Sequence, residues 1–278
     1  MYAICRTLKI KKAADIAACD NHCQRIEGRE SDRSHINSEL TPYNTTARHF
    51  VHEDGSPMKL NEVFDDYTKS QDIKIPRKDS VRMVEYLFTV SPQYFEGCDR
   101  TKGLEDEKIK TFADGAIHFL SNEEHTTCLN WHLHLDESTP HIHAHCIITS
   151  ESKNGTIVNA SMVLDGKKKL SALQDRYFET MSSYIDGIKR GLSSDITRTS
   201  HVTIKEFRAA INQLKNSGFD AEMVNNISHK LIKNPDKGLE SAIAEAENDP
   251  EIFRQRAEEL RKNPPRTNEK GFYRRTEL

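Results

Sequence analysis

Five of the chain's 13 histidines fall between positions 132 and 145, in the run Trp131-His132-Leu133-His134-Leu135-Asp136-Glu137-Ser138-Thr139-Pro140-His141-Ile142-His143-Ala144-His145. They recur at every second position in two groups, and side chains along a β-strand point alternately to opposite faces. Read as strands, the groups set His132 and His134 opposite Trp131, Leu133 and Leu135, and His141, His143 and His145 opposite Ile142, Ala144, Cys146 and Ile148. Only Asp136 to Pro140 separates them, a length typical of an antiparallel hairpin. Pairing the apolar faces gathers the imidazoles on the other side. Three imidazoles about 2.0–2.2 Å from one ion hold a divalent cation and leave positions open for substrate. Any three of the five could supply such ligands, and Asp136 or Glu137 can orient an imidazole or join the ligand set. A solvated strand face would explain one such histidine; it explains several beside two carboxylates poorly.

These strands need a platform. Arg82–Val90 (RMVEYLFTV) is dense in β-branched and aromatic residues and reads as a strand, as do Thr126–Leu135 and His141–Thr149. Helices are expected around Ile10–Ile26, over Leu104–Leu120, over Lys168–Ile188, and after a capping box at Thr203–Glu206. Residues 31–60 read as loops with one short strand. Beyond about residue 235 the chain turns polar, which suggests a small helical appendage and a flexible tail. The expected division is a catalytic domain over 1–218 and a helical extension with a basic tail over 219–278.

Hydrophobic residues make up 36% and charged residues 30%, yet 11 Phe and 8 Tyr can build a core, which excludes wholesale disorder. No apolar run approaches the roughly 18–20 residues of a membrane span. Met1–Lys12 is basic without an apolar stretch, so a cytoplasmic location is expected. A net charge of -3 excludes a histone-like polycation and leaves room for a local basic groove. The six cysteines lack the CxxC spacing of a zinc ribbon and read as reduced thiols. Cys19 and Cys23, at i,i+4 around position 22, read as small buried thiols rather than ligands.

His134-x-Asp136-Glu137-x-x-Pro140-His141-Ile142-His143 resembles the third motif, HxDExxPHuH, of the MobV relaxases, also called Mob/Pre proteins. Asp20-Asn21-His22-Cys23-Gln24-Arg25 resembles the first motif, HNxR, with the Asn after the histidine lost. Ser34-His35-Ile36-Asn37-Ser38-Glu39-Leu40 resembles the second, and Arg77-Lys78-Asp79-Ser80-Val81 the family's RKDAV segment. Lys168–Gln174 and His201–Phe207 extend the likeness over about residues 1–215. A weaker parse, His132-x-His134-x-Asp136, half-resembles the HxHxDH signature of metallo-β-lactamase-type hydrolases, but Glu137 stands where that pattern needs histidine.

The MobV resemblance implies an α+β, HUH-endonuclease-like fold, with a central, mainly antiparallel sheet and helices packed on one side. It implies a relaxase that nicks one DNA strand at an origin of transfer, stays attached to the 5′ phosphate and later religates it. The implied nucleophile is His22, with Tyr43 the rival that HUH chemistry would otherwise favour. Glu137 would activate His22 or ligate the metal, and Arg25 would clamp the phosphate. The implied cofactor is Mn2+ or Mg2+ held by His134, His141 and His143, with Zn2+ also compatible with three imidazoles. The implied partners are single-stranded or hairpin origin DNA and the conjugative coupling machinery. Arg29, Arg33, Lys74, Arg77 and Lys78, with the Lys167–Lys169 run, are the expected phosphate contacts. A replication initiator or transposase of HUH type, or a DNA-binding regulator with a structural histidine cluster, would share many of these residues.

Overall fold

In the computed structural model, which describes residues 1–26, 35–48 and 50–191, the chain begins with β1 (Tyr2–Ile10), α1 (Ala13–Cys23), β2 (Thr45–Arg48) and α2 (Leu60–Ser70). It continues through β3 (Met83–Val90), α3 (Glu107–Asn122), β4 (Thr126–His134), β5 (His141–Ser152) and β6 (Gly155–Val158). The short α4 (Ser161–Leu164), the long α5 (Gly166–Ser182) and β7 (Lys189–Arg190) complete it. The seven strands form one sheet in the order β2-β4-β5-β3-β1-β7, with β6 on the far end of β5. All pairings are antiparallel except β1 with β7. The architecture is α+β with a mainly antiparallel central sheet, as expected.

Strand alternation gives the sheet two differently used faces. Ala3, Cys5, Tyr86, Phe88, Ile142, Ala144 and Cys146 point to one side and pack under α3 and α5, where Phe88, Phe119 and Tyr177 meet with ring centroids 5.0–5.6 Å apart. This is the expected helical layer, but helices are not confined to this side. A second, smaller core of Ile10, Ile16, Leu60, Val63, Phe64, Met83, Leu129 and Ile147 joins α1 and α2 to part of the opposite face. The histidines occupy the rest of that face.

The β4–β5 register contains one irregularity. Cys128 pairs with Cys146, but Asn130 pairs with His145, so Leu129 is an extra residue. The bulge lets Leu129 enter the smaller core while Asn130 faces His145. Beyond it the pairs His132↔His143 and His134↔His141 follow in step, and Leu133 and Trp131 stay with the apolar partners Ile142 and Ala144.

Several boundaries differ from the expectations. The helix expected around Ile10–Ile26 is shorter, because Tyr2–Ile10 is strand, with Ala3 and Cys5 turned inward and Arg6, Leu8 and Lys9 outward or half-covered. The helix expected to reach Ile188 ends at Ser182, and Gly187 adopts φ +69 in the turn that follows. The helix α2 carries no sequence expectation; its buried stripe is only Leu60, Val63, Phe64 and Thr68. The capping box at Thr203–Glu206 and the 219–278 extension lie outside the described residues. Among the described residues no helix is long and apolar enough to cross a membrane.

Candidate active site

The hairpin brings the motif histidines into one cluster. The ring centroids of His134 and His141 lie 5.2 Å apart, those of His134 and His143 4.9 Å, and those of His141 and His143 4.9 Å. The last turn of α1 lowers His22 onto them, 5.5 Å from His134 and 5.2 Å from His143 by centroid. His22 remains the more accessible member, with 31% of its side chain exposed, while His134 is fully buried.

Tautomers follow from the acceptors at each Nδ1. His141 Nδ1 donates to the Thr139 carbonyl at 2.9 Å, and His143 Nδ1 donates to Glu85 Oε1 at 2.8 Å. Neutral rings so held each present a lone pair at Nε2. Those two Nε2 atoms face each other at 3.0 Å. Two lone pairs at that distance need a proton or a cation between them, so the donor set fits a metal ion. Ligand atoms of His22, His134 and His143 lie within 4.8 Å of one another, as do those of His134, Glu137 and His141. His134 differs from the other two: its Nδ1 accepts from Arg25 Nη2 at 3.0 Å, and its Nε2 donates to the Cys23 carbonyl at 3.2 Å. Ligation through His134 Nδ1 would require Arg25 to give way.

Glu137 sits amid these groups. Its Oε1 accepts from Arg25 Nη2 at 3.0 Å and lies 3.8 Å from His22 Nε2, 3.8 Å from His141 Nε2 and 3.6 Å from His35 Nε2. Burial works against its charge, but His141 and Arg25 outweigh burial and hold the carboxyl below its usual range. Glu85 follows the same rule: burial opposes ionisation, and the contact with His143 leads the opposing causes that hold it well below the usual range. Glu85 was not foreseen from the sequence, where a lone carboxylate in an apolar strand was its one signal. His35 and Arg100 were also unforeseen as site residues. Arg100 Nη1 donates to the Leu135 and Glu137 carbonyls at 3.2 and 2.5 Å, and Nη2 donates to that of Ser138 at 2.9 Å, holding the hairpin end.

A family model described as "Mob_Pre: Plasmid recombination enzyme" matches residues 1–209. The chain belongs to the Mob/Pre family. A plasmid recombination enzyme type 1 of Staphylococcus aureus is 26% identical over 247 residues, 87% of this chain and 55% of that protein. A 65 kDa protein of Zymomonas mobilis is 29% identical over 220 residues, covering 76% of this chain and 33% of that protein. The chain thus spans about half the length, or less, of these curated relatives. Among solved structures, a MobM relaxase domain bound to plasmid origin-of-transfer DNA, in a Mn-bound crystal, superposes with a TM-score of 0.59 at 22% identity. The match covers 76% of this chain and 99% of that one, and it shows a shared fold.

In this Mob/Pre chain the other expected site residues fall in different places. Arg25 turns inward rather than toward solvent. With φ +54, its guanidinium grips Asp136 through Nε at 3.0 Å and Nη2 at 2.7 Å, and Nη1 donates to the His22 carbonyl at 3.3 Å. Lys74 Nζ donates to the Asn154 carbonyl at 2.7 Å, and Lys74 bridges Ile157, the partner of Ser150. At about 3.3 Å per residue, the stretch of β5 between His143 and Ser150 spans about 23 Å, so Lys74 belongs to the other end of the strand. Arg77 is exposed and pairs loosely with Asp79 at 3.8 Å, and Lys78 is exposed beside it. Tyr43 is exposed in the turn Thr41–Tyr43, and among the described residues no ring contact joins it to the histidines. Arg29 and Arg33 lie outside the described residues.

The buried imidazoles make stability depend on pH. Burial, then His143, holds His141 below the ordinary value of 6.5, and burial with neighbouring imidazoles does the same to His134. Each therefore binds fewer protons folded than unfolded just below that value, so stability rises with pH there. The metal-free chain is expected to lose melting temperature progressively as pH falls from about 7 through about 6.5 to about 5. His141→Asn should make the slope shallower. Thermal unfolding in a chelator across that range measures it, and a flat wild-type profile would contradict the assigned protonation states.

Proposed function

We propose that this chain is a metal-dependent DNA relaxase that nicks one strand at a plasmid origin of transfer and later rejoins it. The facing Nε2 atoms of His141 and His143, with His22 seated over His143, carry this reading. Membership of the Mob/Pre family and the fold shared with a DNA-bound relaxase domain support it.

His141 and His143, completed by His134 once its Nδ1 is released by Arg25 Nη2, would hold a divalent cation, Mn2+ or Mg2+ before Zn2+, that would neutralise a non-bridging phosphate oxygen and align the phosphorus for attack. The nucleophile is His22. As the Nδ1 lone pair attacks phosphorus, Glu137, 3.8 Å from His22 Nε2, accepts the Nε2 proton, so the phosphorylated ring carries no charge. A P–N bond forms, the P–O3′ bond breaks, and the departing 3′ oxygen collects a proton to become a hydroxyl. The 5′ phosphate stays on His22 as a phosphoramidate, whose retained bond energy lets the 3′ hydroxyl reverse the step without ATP. Arg25 acts as a positioning residue: it ties Asp136 and Glu137 to the His22 carbonyl, which fixes the distance from base to nucleophile. Arg29, Arg33, Lys74, Arg77 and Lys78 remain candidates for longer-range phosphate contact. The catalytic domain is assigned to 1–218 and the extension to 219–278. The place of action is the cytoplasm, where plasmid DNA resides, and coupling machinery is the partner expected during transfer.

The test is a trapping assay with origin-derived single strands whose 3′ product is short enough to diffuse away. A covalent band that requires Mn2+ or Mg2+ is expected, and peptide mapping should find the 5′ phosphate on His22. Binding without any metal-dependent adduct would point instead to a regulator with a structural histidine cluster.

A further inference from the structure

A second cluster lies deeper along the same strand face, and the relaxase reading leaves it unused. His132 and His145, on neighbouring strands, are fully buried with ring centroids 5.8 Å apart. Cys23, also buried, comes down on them from α1, and the ligand atoms of Cys23, His132 and His145 all lie within 4.8 Å of one another. Cys19, one helical turn earlier, brings its sulfur within the same distance of His145 and Glu85.

Both imidazoles are tethered by the nitrogen that points away. Thr46 Oγ1 is 3.0 Å from His132 Nδ1, and Asn130 Oδ1 is 2.7 Å from His145 Nδ1. An amide oxygen only accepts, so His145 Nδ1 donates to Asn130 and Nε2 is left facing the interior. That nitrogen is buried and meets no hydrogen-bond partner; Glu85 Oε1 lies 3.5 Å away. A ring nitrogen buried without a well-formed partner in a dry interior is unfavourable, and a cation beside it and Glu85 satisfies both. Ligating histidines are held by their second nitrogen in this way.

We propose that Cys23, His132 and His145, with Cys19 as the fourth donor, form a structural Zn2+ site distinct from the catalytic cluster. Two sulfurs and two imidazoles select a soft, tetrahedral ion over Mn2+ or Mg2+. Four protein donors leave no open position, so the site braces rather than catalyses. Donor atoms around tetrahedral zinc lie about 3.3–3.8 Å apart, so Cys23, His132 and His145 need close by no more than about 1.5 Å, while Cys19 swings in from beside His145. Each thiol binds as thiolate and releases its proton to solvent, which balances the two charges of the ion. Glu85 remains with His143, which it holds at 2.8 Å. The mechanical consequence is specific: α1, which carries His22, is pinned to β4 and β5, which carry His134, His141 and His143.

The decisive measurement loads the full chain with Co2+ under reducing conditions. A near-ultraviolet thiolate-to-cobalt charge-transfer band is expected, and Zn2+ should displace it stoichiometrically. The band should fall by at least half in Cys23→Ser and in Cys19→Ser, vanish in the double variant and persist in His141→Ala, because the donor group of His134, Glu137 and His141 contains no sulfur. A strong zinc chelator should lower the melting temperature of the wild type and of His141→Ala by several degrees, and that of the Cys19→Ser, Cys23→Ser double variant not at all. Wild-type protein showing only the weak bands of a nitrogen and oxygen site overturns the proposal, even if the cysteine variants do not fold. An undiminished band in Cys23→Ser overturns it as well. Neither readout involves DNA, so the outcome is separable from that of the nicking assay.

Discussion

Replacing His22 with alanine is expected to eliminate the covalent protein–DNA adduct, while Tyr43→Phe leaves it at the wild-type level. His22 places its ring 5.2 Å from His143 and 5.5 Å from His134, and its Nε2 faces Glu137 at 3.8 Å. Tyr43 lies exposed in its turn, and among the described residues no imidazole ring packs against it. A covalent nucleophile has no substitute within the site, so the loss should be on the order of 10⁴-fold or more, below detection in a gel assay. DNA affinity is expected to change far less, because an alanine at this position removes no phosphate-neutralising charge. Glu137→Gln gives a graded companion result: the adduct forms more slowly, by roughly 10²–10⁴-fold, as expected for loss of a general base rather than of the nucleophile. An adduct that survives in His22→Ala and disappears in Tyr43→Phe would falsify the assignment of the nucleophile.

The histidine face was legible because two physical rules act on it together. Period-two alternation sorts His132 and His134 from Leu133 and Leu135, and the short Asp136–Pro140 connection forces the second strand to return beside the first. Even so, the bulge at Leu129 was invisible, since an extra residue disturbs the pattern only once the partner strand is known. Glu85 was illegible for a related reason. One carboxylate in RMVEYLFTV has no periodic signature, and its role depends on β3 lying next to β5 so that Leu87 pairs with His143. Strand β1 was obscured by the alanine-rich stretch that follows it, whose helix propensity spread the expected helix back to Ile10. Arg25 was expected to reach outward to phosphate. Its inward turn depends on a left-handed backbone at the end of α1, a conformation uncommon for a residue with a β-carbon and one that local sequence did not announce.

That inward turn carries the second large expectation. Arg25→Ala should destabilise the domain by about 3–5 kcal/mol, because it strands the Asp136 carboxylate in the interior. The two side chains are 4% and 0% exposed, and the pair is bidentate, with Thr41 Oγ1 donating to Asp136 Oδ2 at 2.9 Å as well. Although burial opposes ionisation of Asp136, Arg25 holds its carboxyl below the usual range, so the variant should also lose part of its acid sensitivity. Arg25→Lys keeps the charge without the planar fork and should recover only part of the stability. The paired change Arg25→Met with Asp136→Leu separates stability from function. Removing both charges avoids the stranded ion, so urea unfolding should return toward the wild-type midpoint. Nicking should remain impaired, because the clamp from the hairpin to the His22 carbonyl and to Glu137 is gone. If the paired variant nicks at the wild-type rate, Arg25 serves the fold alone, and the spacing of Glu137 from His22 must be set by the remaining contacts, with Arg100 on the hairpin carbonyls the first to examine.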